Sequence, residues 1–562
     1  MYNMGPVAND EIAAATLSGD VPVKAECLPF AQIPHTTRLF LDFLSYSPKV
    51  QTFYPHSPNV SEWLKQKTLG QGYDATRRAL VCEVLERQNE GWGSSAQTKN
   101  NIARLRSGAA AFVTGQQVGL FGGPVFALLK ALTAVKLAEE ASAAGVDAVP
   151  VFWLATTDHD LAEVSHATLP GAEGALQSLA TASHGVDDAP VGTVVFGPEI
   201  EPVVEAVVEL LGPSPAADLL RESYRPGETV GSAFARLYAR LFAEFGVILL
   251  DPSDAQLNQI AAPIYRAAIE NAVEVDEALL ARGRELESAG YHQQVKVTPS
   301  STLLFMLKDG ARVPIHRRVN GHDKVEFLVQ DQSLSRDELL ARISERPHDF
   351  SPNVLLRPVV QDVLLPTAAY TGGAAEIAYF AQAAVVYEKL LGRVTPIVPR
   401  FSATVVEAKQ KTLLERYGLG LPDVFHGDDA LRETLAAKTL SADLQGAFDR
   451  AAESLNQSLA GVSEALARLD KTLVDAADNA GSKMQHHLES LRAKAVRAEL
   501  RHSEVLARHA QLLSNSLFPN KALQEREIAG IHYLARYGVE FLNVLYATLQ
   551  LECHDHQVLT FE

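Results

Sequence analysis

Between positions 109 and 154 the chain changes its hydrophobic period twice. Residues 109–113 are an apolar run of the length of a buried parallel strand. A loop punctuated by Gly115, Gly119, Gly122 and Gly123 follows, without charge until Lys130. Pro124 stands where a first helical residue belongs, helical spacing runs to about 143, and Gly145 stops it. Residues 148–154 form a second apolar strand. Strand, helix and strand of these lengths predict a right-handed βαβ unit, whose ligands sit outside the carboxyl ends of the strands.

The same reading extends along the chain. The first residues are polar and predict a loose tip, while Phe40, Phe43, Tyr46, Phe53 and Tyr54 read as core. Residues 60–108 predict two helices around a break near Gly91. Weak alternation rich in Gly, Ala and Ser from 165 to about 200 predicts a small β insertion. A helix near 233–245, a strand at 246–250 and a long helix over 255–289 restore the α/β alternation. Residues 294–307 and 311–328 read as antiparallel strands of a second insertion, bearing Lys296, His316, Arg317 and Arg318. Residues 359–365 read as a strand closed by Pro366. Tyr370-Thr-Gly-Gly373 is a second glycine turn, 374–391 is a helix, and 396–399 is a last short strand.

Beyond residue 404 the texture changes. Phe448, Ala452, Leu455, Leu459, Val462, Leu466, Leu469 and Leu473 repeat at alternating spacings of four and three, and a second such run leads from Met484 to Leu512. A break at 478–482 predicts two antiparallel helices, each ~45 Å long. His502 and His509 on this seam read as packed or edge histidines. A lone hairpin leaves its apolar stripe exposed, which predicts a partner, a second copy of the chain. The domain division that follows is 1–403 for the α/β core, with insertions at about 165–230 and 291–350. Residues 404–517 form a helical coiled-coil domain, and 518–562 are helices returning to the core.

Composition narrows the function classes. Among 562 residues, 47% apolar, 50 Lys and Arg face 68 Asp and Glu, for a net charge of −18. That balance argues against a nucleic-acid-binding surface. Cys27, Cys82 and Cys553 form no CxxC pair and suit a reducing cytoplasm. Asp10 and Glu11 interrupt any basic-then-apolar leader, and Lys130, Lys136, Glu139 and Glu140 exclude the helix after Pro124 as a membrane span.

The second strand of the βαβ unit ends in Ala155-Thr-Thr-Asp-His-Asp160, so Asp158, His159, Asp160 and Glu163 emerge on the rim that carries Gly115, Gln116, Gln117 and Gly119. A helix end contributes only ~0.3–2 kcal/mol toward an anion. Micromolar binding needs ~8 kcal/mol, so Gln116 and Gln117 are the nearest helpers. Asp158, His159 and Asp160 are candidate acid/base groups beside Gln117, the two aspartates orienting the ring and favouring its charged form. Either aspartate reads equally as a helix N-cap. Arg357, Gln361 and Asp362 precede the second glycine turn, and Tyr370, Gly372, Gly373 and Glu376 form and follow it. Arg357 reads as a partner of Asp362 or as a fork for a substrate carboxylate, and Lys296 as a solvated or overhanging cation. Asp158, His159 and Glu163, with His166 in reach, are a weak metal set without HExxH or a cysteine, and no metal is expected. No GxSxG or Cys/His pair marks a covalent nucleophile.

Four phrases carry a resemblance: Thr-Gly-Gln-Gln-Val-Gly-Leu-Phe-Gly-Gly-Pro at 114–124, Phe-Trp-Leu-Ala-Thr-Thr-Asp-His-Asp at 152–160, Arg-Pro-Val-Val-Gln-Asp at 357–362 with Leu-Pro-Thr-Ala-Ala-Tyr-Thr-Gly-Gly-Ala-Ala-Glu at 365–376, and Leu-Phe-Pro-Asn-Lys-Ala-Leu-Gln-Glu-Arg at 517–526. In these, and over nearly its whole length, the chain resembles the BshC family, named for the cysteine ligase of bacillithiol biosynthesis. The resemblance implies addition of L-cysteine to glucosaminyl-malate in the last step of that synthesis. It also implies a Rossmann-like parallel-sheet core with two inserted connecting-peptide subdomains, an antiparallel coiled-coil domain that makes a homodimer, and an adenine nucleotide, ATP or ADP. The chain has no HIGH or KMSKS pair. It implies no catalytic residues, so the candidates above rest on rim geometry. In that reading Arg357 or Lys296 holds the malyl carboxylates and His159 or Asp158 takes the proton from the cysteine ammonium. Two readings from other classes stand beside it: a coiled-coil scaffold whose core binds a nucleotide or acidic metabolite without turnover, and a metal-dependent hydrolase centred on His159 and Glu163.

Overall fold

A computed structural model describes residues 12–17, 21–66, 70, 72–171, 174–181, 186–319, 325–502 and 504–561. The tip at 1–11 lies outside them. The chain divides into two compact units. One comprises Met1–Leu169, Gln177–Val405 and Glu525–Glu562, the other Pro170–Leu176 and Val406–Gln524.

The first unit is built on a five-stranded sheet whose strands are β1 (Ala110–Gln116), β2 (Ala148–Leu154), β3 (Ile248–Leu250), β4 (Thr367–Gly372) and β5 (Ile397–Pro399). Their order is β5-β4-β1-β2-β3, and every neighbouring pair is parallel. The chain lays down β1, β2 and β3 in one direction, then returns to the other flank of β1 for β4 and β5. The order therefore reverses between β1 and β4, and the carboxyl ends of those strands are the place where such sheets take ligands. Three helices bear on that rim: α1 (Val125–Ala143), α2 (Arg357–Leu364) and α3 (Ala374–Leu391). In α1 nearly every residue from Val125 to Ala138 is buried, Lys130 included, as its lack of an amphipathic stripe requires.

The helix begins at Val125, with Pro124 as its N-cap rather than its first residue. The apolar run at 359–365 is α2 and not a strand. Seven residues are too few for periodicity to decide between the two, and Pro358 in the first turn is the helix signal. The strand starts after Pro366. The helix expected over 255–289 is two, Ala255–Glu270 and Ala272–Ser288, parted at Asn271.

Three further sheets accompany the parallel one among the described residues. The larger insertion is an antiparallel sheet in the order Gln332–Ser335, Val325–Val329, Ala311–Val319, Ser301–Lys308, Phe350–Pro352. The smaller is a two-stranded ribbon of His166–Pro170 with Leu176–Ala180. A four-stranded sheet joins Ile12–Leu17, Val21–Leu28, His556–Phe561 and Ala403–Val406. The last described residues are thus a strand, where the sequence pattern predicted only the preceding helices, Gly530–Tyr537 and Glu540–Thr548. That pairing also brings Cys27 and Cys553 together, with their Sγ atoms 2.9 Å apart although 526 residues separate them.

His556 anchors the C-terminal strand. Its ring is fully buried, with Nδ1 bonded to Ser402 Oγ and Nε2 to Thr404 Oγ1, both at 2.8 Å. Burial pulls its pKa from 6.5 down to about 4, against the pull of Glu525. The unfolded chain therefore binds a proton that the folded one refuses between about pH 6.5 and 4. His556 stability is complete above that window and is lost as the pH falls through it, by roughly 3 kcal/mol. Urea unfolding at pH 7 and pH 4.5 is expected to show a smaller acid loss in His556→Gln than in the unsubstituted protein. Equal losses would contradict this.

In the second unit Ala442–Leu469 packs along Val474–His502, joined by a tight turn with Asp470 as its cap. The break lies at 470–473, and Asp478 to Ser482 are helical instead. Gly481 lets the helices approach, since a Cβ there would stand 3.0 Å from Leu459 Cδ1. Val462, Leu469, Met484 and Leu491 are exposed on this hairpin. His509 is a packed histidine, bonded through Nδ1 to the Tyr417 hydroxyl at 2.7 Å.

Candidate functional site

A cavity of about 230 Å³ opens at the carboxyl rim of the parallel sheet. Gln116, Gln117 and Gly119 line it from the loop after β1, Glu163 and His166 from the segment after β2, and Arg526 from the chain that returns after residue 524. The loop itself is tight. Phe121, Gly122 and Gly123 have φ of 54°, 88° and 71°, and a Cβ on Gly119 would meet Gly123 Cα at 3.1 Å. A buried Phe in the left-handed region stores strain of about 1–3 kcal/mol, typical of ligand-facing turns.

Four N–H groups of this loop are already engaged. Gly119 donates to Gln117 O, Gly122 to Gly119 O and to the Tyr224 hydroxyl, Gly123 to Leu120 O, and Val125 to Ile528 O. The helix end that the sequence offered to an anion is thus largely spent on the protein. Charge at the rim comes from side chains.

One group of side chains surrounds Glu376. Lys130, buried in α1, donates to Gly115 O at 2.6 Å and to Gln116 Oε1 at 3.0 Å, and pairs with Glu376 Oε2 at 2.6 Å. Tyr370 donates to Glu376 Oε1 at 2.5 Å and Gly373 N–H to Oε2 at 2.8 Å. Burial pulls the Lys130 ammonium down to about 8, opposed by Glu376. Burial pushes Glu376 up, but Lys130 and the two donors outweigh it and hold the carboxyl below its usual range. Gly372 is required, because a Cβ there would stand 2.8 Å from Glu376 Cβ. Arg357 lies over the Tyr370 ring at 4.8 Å and donates to Gln361 Oε1 at 3.0 Å and Tyr379 Oη at 3.3 Å. Arg400 is held by Glu525 through bonds of 3.0 and 2.6 Å, and Glu525 also accepts from Ser402 Oγ and Ala403 N–H.

The other group lies beyond β2. Gln117 Nε2 donates to both Asp158 Oδ2 and Glu163 Oε2, each at 2.8 Å. Arg312, from the inserted sheet, donates to His159 Nδ1 at 2.9 Å, to Ser351 Oγ and to Pro352 O, with its cation 3.8 Å from the Phe305 ring centre. Burial pulls this guanidinium down to about 10, opposed by Asp158. A guanidinium can only donate, so His159 Nδ1 is the acceptor and Nε2 carries the ring proton.

The structure therefore brings together Gly115, Gln116, Gln117, Gly119, Asp158, His159, Glu163, Arg357, Tyr370, Gly372, Gly373 and Glu376 along one rim. It separates others. Asp160 is exposed and caps the short helix Leu161–Val164 by accepting from Glu163 N–H, so it does not orient His159. Asp362 is buried against Arg393 at 3.0 Å and Thr395, not against Arg357, and Gln361 is buried between Arg357 and Asp362. Lys296 is exposed in the segment before Ser301–Lys308 and does not line the cavity. Arg317 pairs with Asp276 at 2.8 Å and Arg318 with Glu326 at 3.2 Å. Among the described residues no set of three His, Cys, Asp or Glu side chains is placed to hold a metal ion, and no helix is long and apolar enough to cross a membrane.

Lys130, Arg312, Arg400, Glu525 and Arg526 were not candidates in the sequence reading. For Lys130 a signal was present, as the one charge in an apolar helix from Val125 to Val135. Arg312 and Glu525 had none, since only the folded sheets bring them to the rim.

Fold and site together define a class: a Rossmann-like α/β protein with an inserted antiparallel sheet, a coiled-coil unit, and a polar cavity at the switch point of the sheet. Residues 23–401 match the family model for the BshC N-terminal Rossmann-like domain of bacillithiol biosynthesis, and residues 403–561 the model for the BshC C-terminal coiled-coil domain. The chain belongs to the BshC family. It is 50% identical to a protein of Koribacter versatilis over 95% of its own length and 99% of that protein's. It is 36% identical to one of Solibacter usitatus, over 95% and 99% of the two chains, and 35% identical to one of Salinibacter ruber, over 93% and 96%. Each of the three bears the name "Putative cysteine ligase BshC".

Proposed function

We propose that the protein is a ligase of bacillithiol biosynthesis that joins the carboxyl group of L-cysteine to the amino group of glucosaminyl-malate as an amide, the final step of that synthesis. Its family and the shared name of its relatives support the ligase class. The observation that carries the substrate is the two-sided rim. Asp158 and Glu163, bridged by Gln117, suit ammonium groups, and the cations near Glu376 that are not paired with a buried carboxylate, Arg357 and Arg526, suit carboxylates.

In this reading Asp158 is the base that takes the proton from the attacking amine, which is the amino group of glucosaminyl-malate rather than the cysteine ammonium, and Gln117 sets its orientation. His159, locked by Arg312, presents Nε2–H to the carboxyl oxygen whose C–O bond breaks as the amide forms and which leaves as water. Lys130 holds Glu376 and the carbonyl of Gly115, and so fixes the two glycine turns against each other. Arg357 supplies positive potential behind Tyr370. A nucleotide polyphosphate does not fit the glycine loop, whose N–H groups of Gly119, Gly122, Gly123 and Val125 are bonded internally. No step is therefore routed through ATP at this loop. The exposed Val462, Leu469, Met484 and Leu491 support a homodimer through the coiled coil.

The test is to incubate the purified protein with L-cysteine and glucosaminyl-malate, with and without ATP, and to look for the thiol product by mass spectrometry. Product in either condition supports the ligase. Absence in both, with glucosaminyl-malate still bound, leaves a binding protein without turnover.

A further inference from the structure

Four cations converge on Glu376 and the second glycine turn: Lys130, Arg357, Arg400 and Arg526. Two are consumed by buried carboxylates, Lys130 by Glu376 and Arg400 by Glu525. Arg357 is spread over two side-chain oxygens and an aromatic face. Arg526 differs from all three. It lines the cavity, and its guanidinium reaches the turn, 4.0 Å from where a Cβ on Gly373 would stand. Among the described residues it has no carboxylate within 4.0 Å and no side-chain hydrogen bond. Its backbone is nonetheless fixed, because the preceding Glu525 is buried and held by Arg400, Ser402 and the Ala403 N–H, and Ala529 N–H donates to Thr168 O.

A fork-shaped cation on a fixed backbone at the mouth of a cavity, with the Glu525 and Glu376 carboxylates acting on it only from beyond ion-pair distance, is arranged for a planar anion from outside. We infer that Arg526 is the specificity-determining residue that grips a malyl carboxylate of the acceptor substrate, an inference that rests on the ligase reading only for the identity of that acceptor. The segment after residue 524 then has a function. It returns from the second unit's part of the chain to place this guanidinium on the rim, with Glu525 as its buried anchor. Planarity matters: an ammonium at the same place supplies charge but not two parallel donors.

Calorimetric binding of glucosaminyl-malate and of methyl glucosaminide, which lacks the carboxylates, separates the possibilities. The unsubstituted protein is expected to prefer the malyl compound, and Arg526→Gln to lose about 10- to 100-fold of that preference. Arg526→Lys should recover part of it, and binding of methyl glucosaminide should be the same in all three, which also shows that the variants fold. A preference unchanged in Arg526→Gln overturns the inference, as does an unsubstituted protein with no preference. If the preference depends on Arg526 but no condensation with cysteine occurs, Arg526 keeps its role and the ligase reading falls.

Discussion

Lys130→Met is expected to destabilise the α/β unit by about 3–5 kcal/mol, because it strands the Glu376 carboxylate in a site built around a counter-charge. Glu376 would keep the Tyr370 hydroxyl and the Gly373 N–H but lose its ion partner, and Gly115 O and Gln116 Oε1 would each lose a donor. The double variant Lys130→Met/Glu376→Gln removes both charges and should recover much of the loss, since side chains in one network are not additive. Chemical denaturation of the single and double variants measures this directly. A double variant that loses as much as the two single losses together would mean that the pair is not coupled. The activity of both should be poor, because Lys130 ties the loop after β1 to the turn after β4.

Gln117→Leu is expected to leave stability within about 1 kcal/mol and to lower kcat/KM by about 10²-fold. Glu163 is exposed, so its loss of a hydrogen bond costs the fold little. Asp158 and Glu163 would then face each other without the amide that now bridges them at 2.8 Å on either side, and both would turn away from the rim. Gln117→Glu should be worse, since it adds a third carboxylate to two. Steady-state kinetics with glucosaminyl-malate as the varied substrate provides the check. Activity of Gln117→Leu close to that of the unsubstituted protein would remove Gln117, and with it the acidic wall, from the mechanism.

These two residues illustrate what could be read from sequence and what could not. Gln117 stands between Gly115 and Gly119 in a loop that follows an apolar strand, and that pattern alone places it on a rim. Lys130 sits six residues into an apolar helix, where the pattern marks it as unusual but not as a partner of Glu376, 246 positions later in the numbering. The helix Arg357–Leu364 reads as a strand until its neighbours exist, because a short run buried on all sides has no period to measure. The strand His556–Phe561 is stable only against Val21–Leu28 and Ala403–Val406, two segments far away in the chain.

By itself the sequence determined the parallel α/β core, the two glycine turns, the heptad hairpin and the rim position of Asp158 and His159. Local periodicity and turn chemistry act over a few residues and are written in the chain. The tertiary structure alone decided which charges meet: Arg312 with His159, Arg400 with Glu525, Arg393 with Asp362, and Lys130 with Glu376. Ion pairs and hydrogen bonds depend on distances of a few ångströms between segments whose separation along the chain carries no information about their separation in space.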